Sequence, residues 1–252
     1  MRTLRTGRIV AAALAATLVV AAAAPTAGAE VGADLEFRVS PNRIQNPPAN
    51  GFGTPINLTT NQTLTHPADS SLRLIRVVTL LPGGVAVPNG KFFPSCSADA
   101  LNRARGRLSV CPRGSLVGRG VAGGTAVDIG VSSTGRLTFF NGPGGRSLTL
   151  NVSIINPALI NATFTAPIKK ISGRYGYSVT FTIPAQLQTI LDGPIVVRKI
   201  DATIGATIMY RGRRRGYIEA TRCPRSRRVP AEASWFFDDG SISRDTTEIS
   251  CR

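Results

Sequence analysis

The chain of 252 residues carries 30 Lys and Arg against 14 Asp and Glu, with one histidine and four cysteines. Its 26 glycines and 17 prolines stay well below the roughly 25–30% that marks low-complexity chains, so a folded protein is expected. One histidine and no Cys-x-x-Cys spacing exclude the common zinc frameworks, and the few aromatics, not interleaved with the basic runs, speak against specific nucleic-acid recognition.

Residues 1–29 read as a secretory signal peptide. Arg2, Arg5 and Arg8 precede an apolar run from Ile9 to Ala24, Pro25 breaks it, and Ala27-Gly28-Ala29 is a small-x-small cleavage signal. The run is shorter than the ~20 residues that span a bilayer, and no cysteine follows it to take a lipid. Cleavage after Ala29 leaves residues 30–252, which are read as one secreted domain. Removing three arginines from 30 leaves 27 basic residues against 14 acidic ones, a net charge of +13. No second long apolar segment follows, so the mature chain is expected outside the cell without a transmembrane anchor.

Beyond the leader the pattern has a period of two. Leu35, Phe37 and Val39 alternate with Asp34, Glu36 and Arg38, and Leu148, Leu150, Val152 and Ile154 alternate with Ser147, Thr149, Asn151 and Ser153. Val179, Phe181 and Ile183 mark another strand, Ala202 to Tyr210 a longer one, and Ala233, Trp235 and Phe237 a further one. Each is expected to have one buried and one wet face, as in antiparallel sheets. Turn clusters such as Asn141-Gly-Pro-Gly-Gly145 separate them. The expected fold is all-β, an antiparallel β-sandwich of Ig-like or jelly-roll-like type. Helix is slight: Ser97 caps a short turn from Ala98 to about Arg105 with Leu101 inward, and 184–191 has room for one helical turn.

Cys96, Cys111, Cys223 and Cys251 are an even set, suited to disulfides in an oxidising compartment. Of the three possible pairings, local closure favours Cys96–Cys111 and Cys223–Cys251, worth about 3 and about 3.6 kcal/mol from chain entropy. The C-terminal hairpin agrees. Trp235-Phe-Phe runs into Asp238-Asp239-Gly240, a two-residue turn signal, and the strand returning from Ser241 brings Cys251 back toward Cys223.

The most distinctive stretch is Cys111-Pro-Arg-Gly-Ser-Leu-Val-Gly-Arg-Gly120. A phosphate loop needs Gly-Lys-Ser/Thr before a helix, and a nucleophile elbow needs Gly-x-Ser-x-Gly; neither is present. The residues read instead as the entry to a strand. Pro112 fixes the backbone after the bridged cysteine, Gly114 turns it, and the later glycines allow close backbone approach. Phe93-Pro-Ser-Cys-Ser97, this stretch and Phe140-Asn-Gly142 together resemble a group of secreted proteins of high-GC Gram-positive bacteria with a Pro-x-Cys-Ser … Cys-Pro-x-Gly-Ser-x-Val-Gly-x-Gly pattern. That group also ends in a Cys-Pro … Trp … Cys segment, matched by Cys223-Pro224, Trp235 and Cys251. The resemblance spans most of residues 70–251; it implies export and fold and carries no activity.

Catalytic candidates are sparse. His66 sits in a polar, Thr-rich segment and is expected to be solvated. Asp238 and Asp239 form a carboxylate pair, but Asp-Asp-Gly is also a strong hairpin turn, and exposed turn carboxylates make poor general acids. Four sequons, at Asn57, Asn61, Asn151 and Asn161, read as Thr- and Ser-rich strand sequence in a bacterial protein. No catalytic residue, metal or cofactor is therefore expected. Two arginine groups point outward: Arg211, Arg213, Arg214 and Arg215 crowning a hairpin turn, and Arg225, Arg227 and Arg228 after Cys223. A strand of about seven residues would part them by roughly 23 Å, giving two small patches rather than one groove. The plainer reading is two solvated loops. The functional reading is weak, salt-sensitive attachment to an anionic cell-wall polymer or glycan by a non-enzymatic binding or structural protein; the alternative is a secreted hydrolase of a surface polysaccharide.

Overall fold

Alternation of apolar and polar side chains becomes strand along almost the whole chain. The computed structural model describes residues 30–45 and 52–252, so the leader read from residues 1–29 lies outside the described residues. The strands are β1 Gly32–Ser40, β2 Thr54–Thr65, β3 Leu74–Pro82, β4 Ala86–Pro88, β5 Leu116–Ala126, β6 Val131–Asn141, β7 Ser147–Ile154 and β8 Ile160–Lys170. They continue with β9 Tyr175–Thr182, β10 Thr189–Ile190, β11 Gly193–Ile204, β12 Thr207–Tyr210, β13 Arg213–Gly216, β14 Ile218–Ala220, β15 Arg228–Phe237 and β16 Ile242–Ser250. The one α-helix among the described residues, α1 at Ala98–Arg103, is far too short to cross a membrane.

The architecture is all-β and antiparallel, sandwich-like, but made from one sheet rather than two. Its order is β16-β15-β3-β9-β8-β7-β6-β5-β11-β2-β14-β4, with β1 beside β2 and β10 beside β11. β12 and β13 form a separate two-stranded ribbon. The long sheet curls until its ends are neighbours: β1 lies against β16, and the Leu35 N–H donates to the Asp245 carboxylate at 2.8 Å. Curling turns one face of every long strand inward. Leu35, Phe37, Leu64, Val77, Ala233, Trp235 and Phe237 form one part of the enclosed core. Phe139, Leu148, Leu150, Val152, Val179 and Ile195 belong to the other.

Two expectations need correction. β7 has no wet face, because its polar side is buried as well as its apolar one. The helix-bearing loop between Cys96 and Cys111 covers that side, where Thr149 and Asn151 both find partners. The Thr149 hydroxyl donates to the Cys96 carbonyl at 2.7 Å, and the Asn151 amide donates to Asn161 Oδ1 and Thr163 Oγ1. Buried polar groups are tolerated when so satisfied. The strand expected from Ala202 to Tyr210 is two strands, β11 and β12, broken at Gly205. A side chain there would run into Asn57, and the Gly205 N–H leaves the ladder for the Val117 carbonyl at 2.7 Å.

Both disulfides join as local closure predicts, Cys96 to Cys111 and Cys223 to Cys251, as suits an oxidising, extracellular setting. Ser97 caps α1 by accepting from the Ala100 N–H, and Leu101 is wholly buried. The 184–191 segment holds a single 3-10 turn at Ala185–Leu187. Pro112 to Ser115 is a tight turn with Gly114 at φ +83°, closed by the Ser115 N–H and hydroxyl on the Pro112 carbonyl. β5 follows at Leu116, so this stretch is a strand entry. Asn141 of the second motif is fully buried, and its amide donates to the carbonyls of Gly90, Phe93 and Pro94, fixing the segment that leads to Cys96.

Candidate functional site

The residues singled out for chemistry are not brought together. His66 is buried rather than solvated. Its Nε2 pairs with the Val197 carbonyl at 2.8 Å, and its ring meets Phe237 edge-on at 5.7 Å. Burial, with the nearby Arg198 charge, holds its pKa below 6.5 despite the opposing bond to Val197. Asp238 and Asp239 occupy the β15–β16 turn, which is a three-residue loop rather than the two-residue turn expected. The Gly240 N–H donates to the Phe237 carbonyl, Gly240 takes φ +86°, and the Phe237 N–H returns to Ser241. Asp238 binds Arg73 through its backbone N–H at 2.9 Å and its Nε at 2.7 Å. Partial burial pushes the Asp238 carboxyl up, but those bonds and the Arg73 charge outweigh it and leave the pKa lowered. Asp239 accepts from the Ser241 N–H and hydroxyl. Both carboxylates are engaged in building the turn.

The arginine groups separate into different roles. Arg211 and Gly212 form a two-residue turn with φ of +50° and +73°, so the turn itself is shorter than the arginine run. Arg211, Arg213 and Arg214 are exposed on the β12–β13 ribbon beside exposed Met209 and Tyr210. Arg215 corrects the expectation of an outward cluster, because it is buried. Its Nε and Nη2 bind both oxygens of Glu219 at 2.8 and 2.9 Å, and its guanidinium lies between Phe52 and Phe92 at 4.0 and 4.3 Å. The Gly216 N–H completes the Glu219 carboxylate at 2.9 Å. In the second group, Arg225 and Arg227 are exposed around the Pro224–Arg227 turn, while Arg228 begins β15 and pairs with Glu248 at 2.9 Å. The strand between the groups is β14, three residues instead of about seven.

What the curled sheet does enclose is apolar space. A cavity of about 170 Å³ is lined by residues of nearly every long strand, among them Phe37, Leu137, Phe139, Phe164, Phe181 and Ile200. Its only polar side chains are Thr60, Gln62, Thr79 and Ser133, and no ionisable group lines it. Gln62 is satisfied, accepting from the Trp235 indole N–H at 2.9 Å. A second cavity of about 110 Å³ lies toward β14 and the 82–88 segment. Leu58, Leu81, Leu148, Val179 and Ile204, from five strands, line both. They form a waist where the two apolar compartments adjoin.

The smaller compartment differs in carrying a charge and two tyrosines, Tyr177 and Tyr217. Arg222 is the only charged residue lining either compartment, and its Nε donates to the Gly84 carbonyl at 2.8 Å. Tyr217 is 1% exposed; its backbone N–H and carbonyl are paired with Ala206 and Asn89, and its ring packs edge-on against Phe93. Its hydroxyl has no hydrogen-bond partner among the described residues, and burial pushes its pKa far above the phenol range. Nothing in the sequence around Tyr217 or Arg222 marks either residue as facing a cavity. Inward residues of a half-buried strand carry no mark that distinguishes a packed core from a hollow one. Compared with family models, curated proteins and solved structures, the chain matches none.

Proposed function

We propose that the chain is a non-enzymatic binding protein of the bacterial cell exterior that holds an apolar small molecule inside its curled sheet. The observation that carries this reading is the two-compartment interior, whose larger part is lined without a single ionisable group. A dry cavity of about 150 Å³ lined by Leu, Ile and Phe is already enough to bind benzene. Each methylene of a chain moved from water into such a space contributes about 0.8 kcal/mol, so an extended aliphatic ligand fits this interior better than a polar one.

The test is titration of the mature protein with diphenylhexatriene, whose fluorescence rises in an apolar enclosure. The expected result is saturation at one dye per chain, with competition by dodecane. Ala122→Leu, which places a larger side chain at the wall of the larger compartment, is expected to reduce dye binding while the protein stays folded. Absence of saturable binding by the parent protein rules the reading out.

A second reading concerns the outer surface and is compatible with the first. Arg211, Arg213 and Arg214, exposed on a separate ribbon without a carboxylate partner among the described residues, support weak attachment to an anionic wall polymer or glycan. Retention on purified cell walls at low salt should fall when all three become Ser. Arg215 is left out of that set because its charge is spent on Glu219. The secreted-hydrolase alternative draws no support from the geometry of His66, Asp238 and Asp239.

A further inference from the structure

The interior is not uniformly apolar, and its one cation and its one unpaired buried hydroxyl lie at the same end. Three buried side-chain polar atoms lack a partner among the described residues: Asn141 Oδ1, Asp201 Oδ1 and the Tyr217 hydroxyl. Of these residues only Tyr217 lines a cavity. Leaving a buried hydroxyl unpaired costs about 1–3 kcal/mol, and a phenylalanine would fill the same place without that cost. The hydroxyl therefore marks a position where an acceptor oxygen is received. A phenol is a neutral donor at physiological pH, and burial only raises its pKa further.

Arg222 supplies the second feature. It is exposed at the wall of the same compartment, is bonded through Nε to Gly84, and has no carboxylate partner among the described residues. Tyr217 and Arg222 flank β14, five positions apart. Both line the smaller compartment. On the far side of the waist formed by Leu58, Leu81, Leu148, Val179 and Ile204 lies the larger compartment.

Resting on the reading of this interior as a ligand site, we infer that it takes a single-chain acyl lipid with an anionic head. The head meets Arg222 at the wall, the acyl carbonyl accepts from the Tyr217 hydroxyl, and the chain passes the waist into the larger compartment. Among the side chains lining this path, Tyr217 supplies the one unpaired buried donor and Arg222 the one cation, which match one carbonyl and one anion on a single chain. A two-headed or cationic amphiphile would leave a charge unpaired.

The experiment is displacement of diphenylhexatriene by lauroyl lysophosphatidic acid and by monolauroylglycerol, which share chain and ester but differ in charge. The parent protein is expected to bind the lysophosphatidic acid at least tenfold more tightly. Arg222→Gln should abolish that preference and leave monolauroylglycerol unchanged. Tyr217→Phe should weaken both esters about fivefold, the worth of one hydrogen bond, without changing dye affinity. The same variant should raise the melting midpoint of the ligand-free protein, since it removes an unpaired buried hydroxyl. Dye binding with equal competition by the two esters, or with no change in either variant, overturns the head-group assignment alone. Failure of the dye to bind the parent protein overturns the cavity reading as well.

Discussion

Arg215 and Glu219 face each other across the junction of β13 and β14 as a bidentate ion pair, with side chains 7% and 1% exposed. Two aromatic rings close over the guanidinium and a backbone N–H completes the carboxylate. Removing one partner of such a pair strands the other charge, a loss of about 3–5 kcal/mol. Glu219→Ala is therefore expected to lower the urea midpoint severely, whereas Arg214→Ser, one position away and exposed, should stay within about 0.5 kcal/mol. Replacing both partners, Arg215→Met with Glu219→Leu, should recover most of the loss. If Glu219→Ala unfolds no more readily than Arg214→Ser, the pair is not structural.

His66 makes stability depend on pH in a defined direction. Its folded pKa lies below the unfolded value of 6.5, chiefly through burial. The folded state thus binds fewer protons, and stability rises with pH across that interval. The contribution is fully present above about pH 6.5 and is lost as pH falls from there through the folded pKa. Thermal midpoints between pH 7.5 and pH 5 should fall in the parent protein and fall less in His66→Gln. Asp238 acts in a separate window, because its lowered pKa adds stability above about pH 3.8 that disappears only in stronger acid.

The glycines of β5 differ sharply in what they permit. A side chain on Gly120 would drive into the Asp201 carbonyl of β11, its partner strand, while one on Gly123 meets nothing nearer than 3.9 Å. Gly120→Ala should cost about 1–3 kcal/mol through overpacking. Gly123→Ala should be neutral or stabilising by up to about 1 kcal/mol, through the reduced freedom of the unfolded chain. Denaturant midpoints of the two variants check the contrast.

The two disulfides leave no free cysteine among the described residues, so iodoacetamide should label the native protein only after reduction. Loops of 15 and 28 residues predict losses of about 3 and about 3.6 kcal/mol when each bridge is removed separately by paired Cys→Ser changes. The first loss should carry a local signature. Without Cys96–Cys111 the loop over β7 loosens, so amide exchange should accelerate around Thr149 and Asn151 before it does at Trp235.

The residues alone determined the alternating strands around Phe37, Leu150, Phe181 and Trp235, the two bridges, the Ser97-capped helix and the nature of the Cys111–Gly120 stretch. All of these rest on local spacing: a period of two, a cap, a turn glycine, a closed loop. The tertiary structure decided which faces meet. Alternation cannot state that the polar side of β7 would be roofed by a loop, because Thr149 and Asn151 look the same wet or satisfied. It cannot separate Arg215 from Arg213 and Arg214, since burial depended on Glu219, Phe52 and Phe92 arriving from three other segments. Nor can it show that one sheet curls back to enclose an unfilled interior. The side chains lining that space are ordinary core residues, and only their distances from one another leave room between them. Tyr217 and Arg222 gain their significance in the same way, from an apolar compartment that long-range packing places beside them.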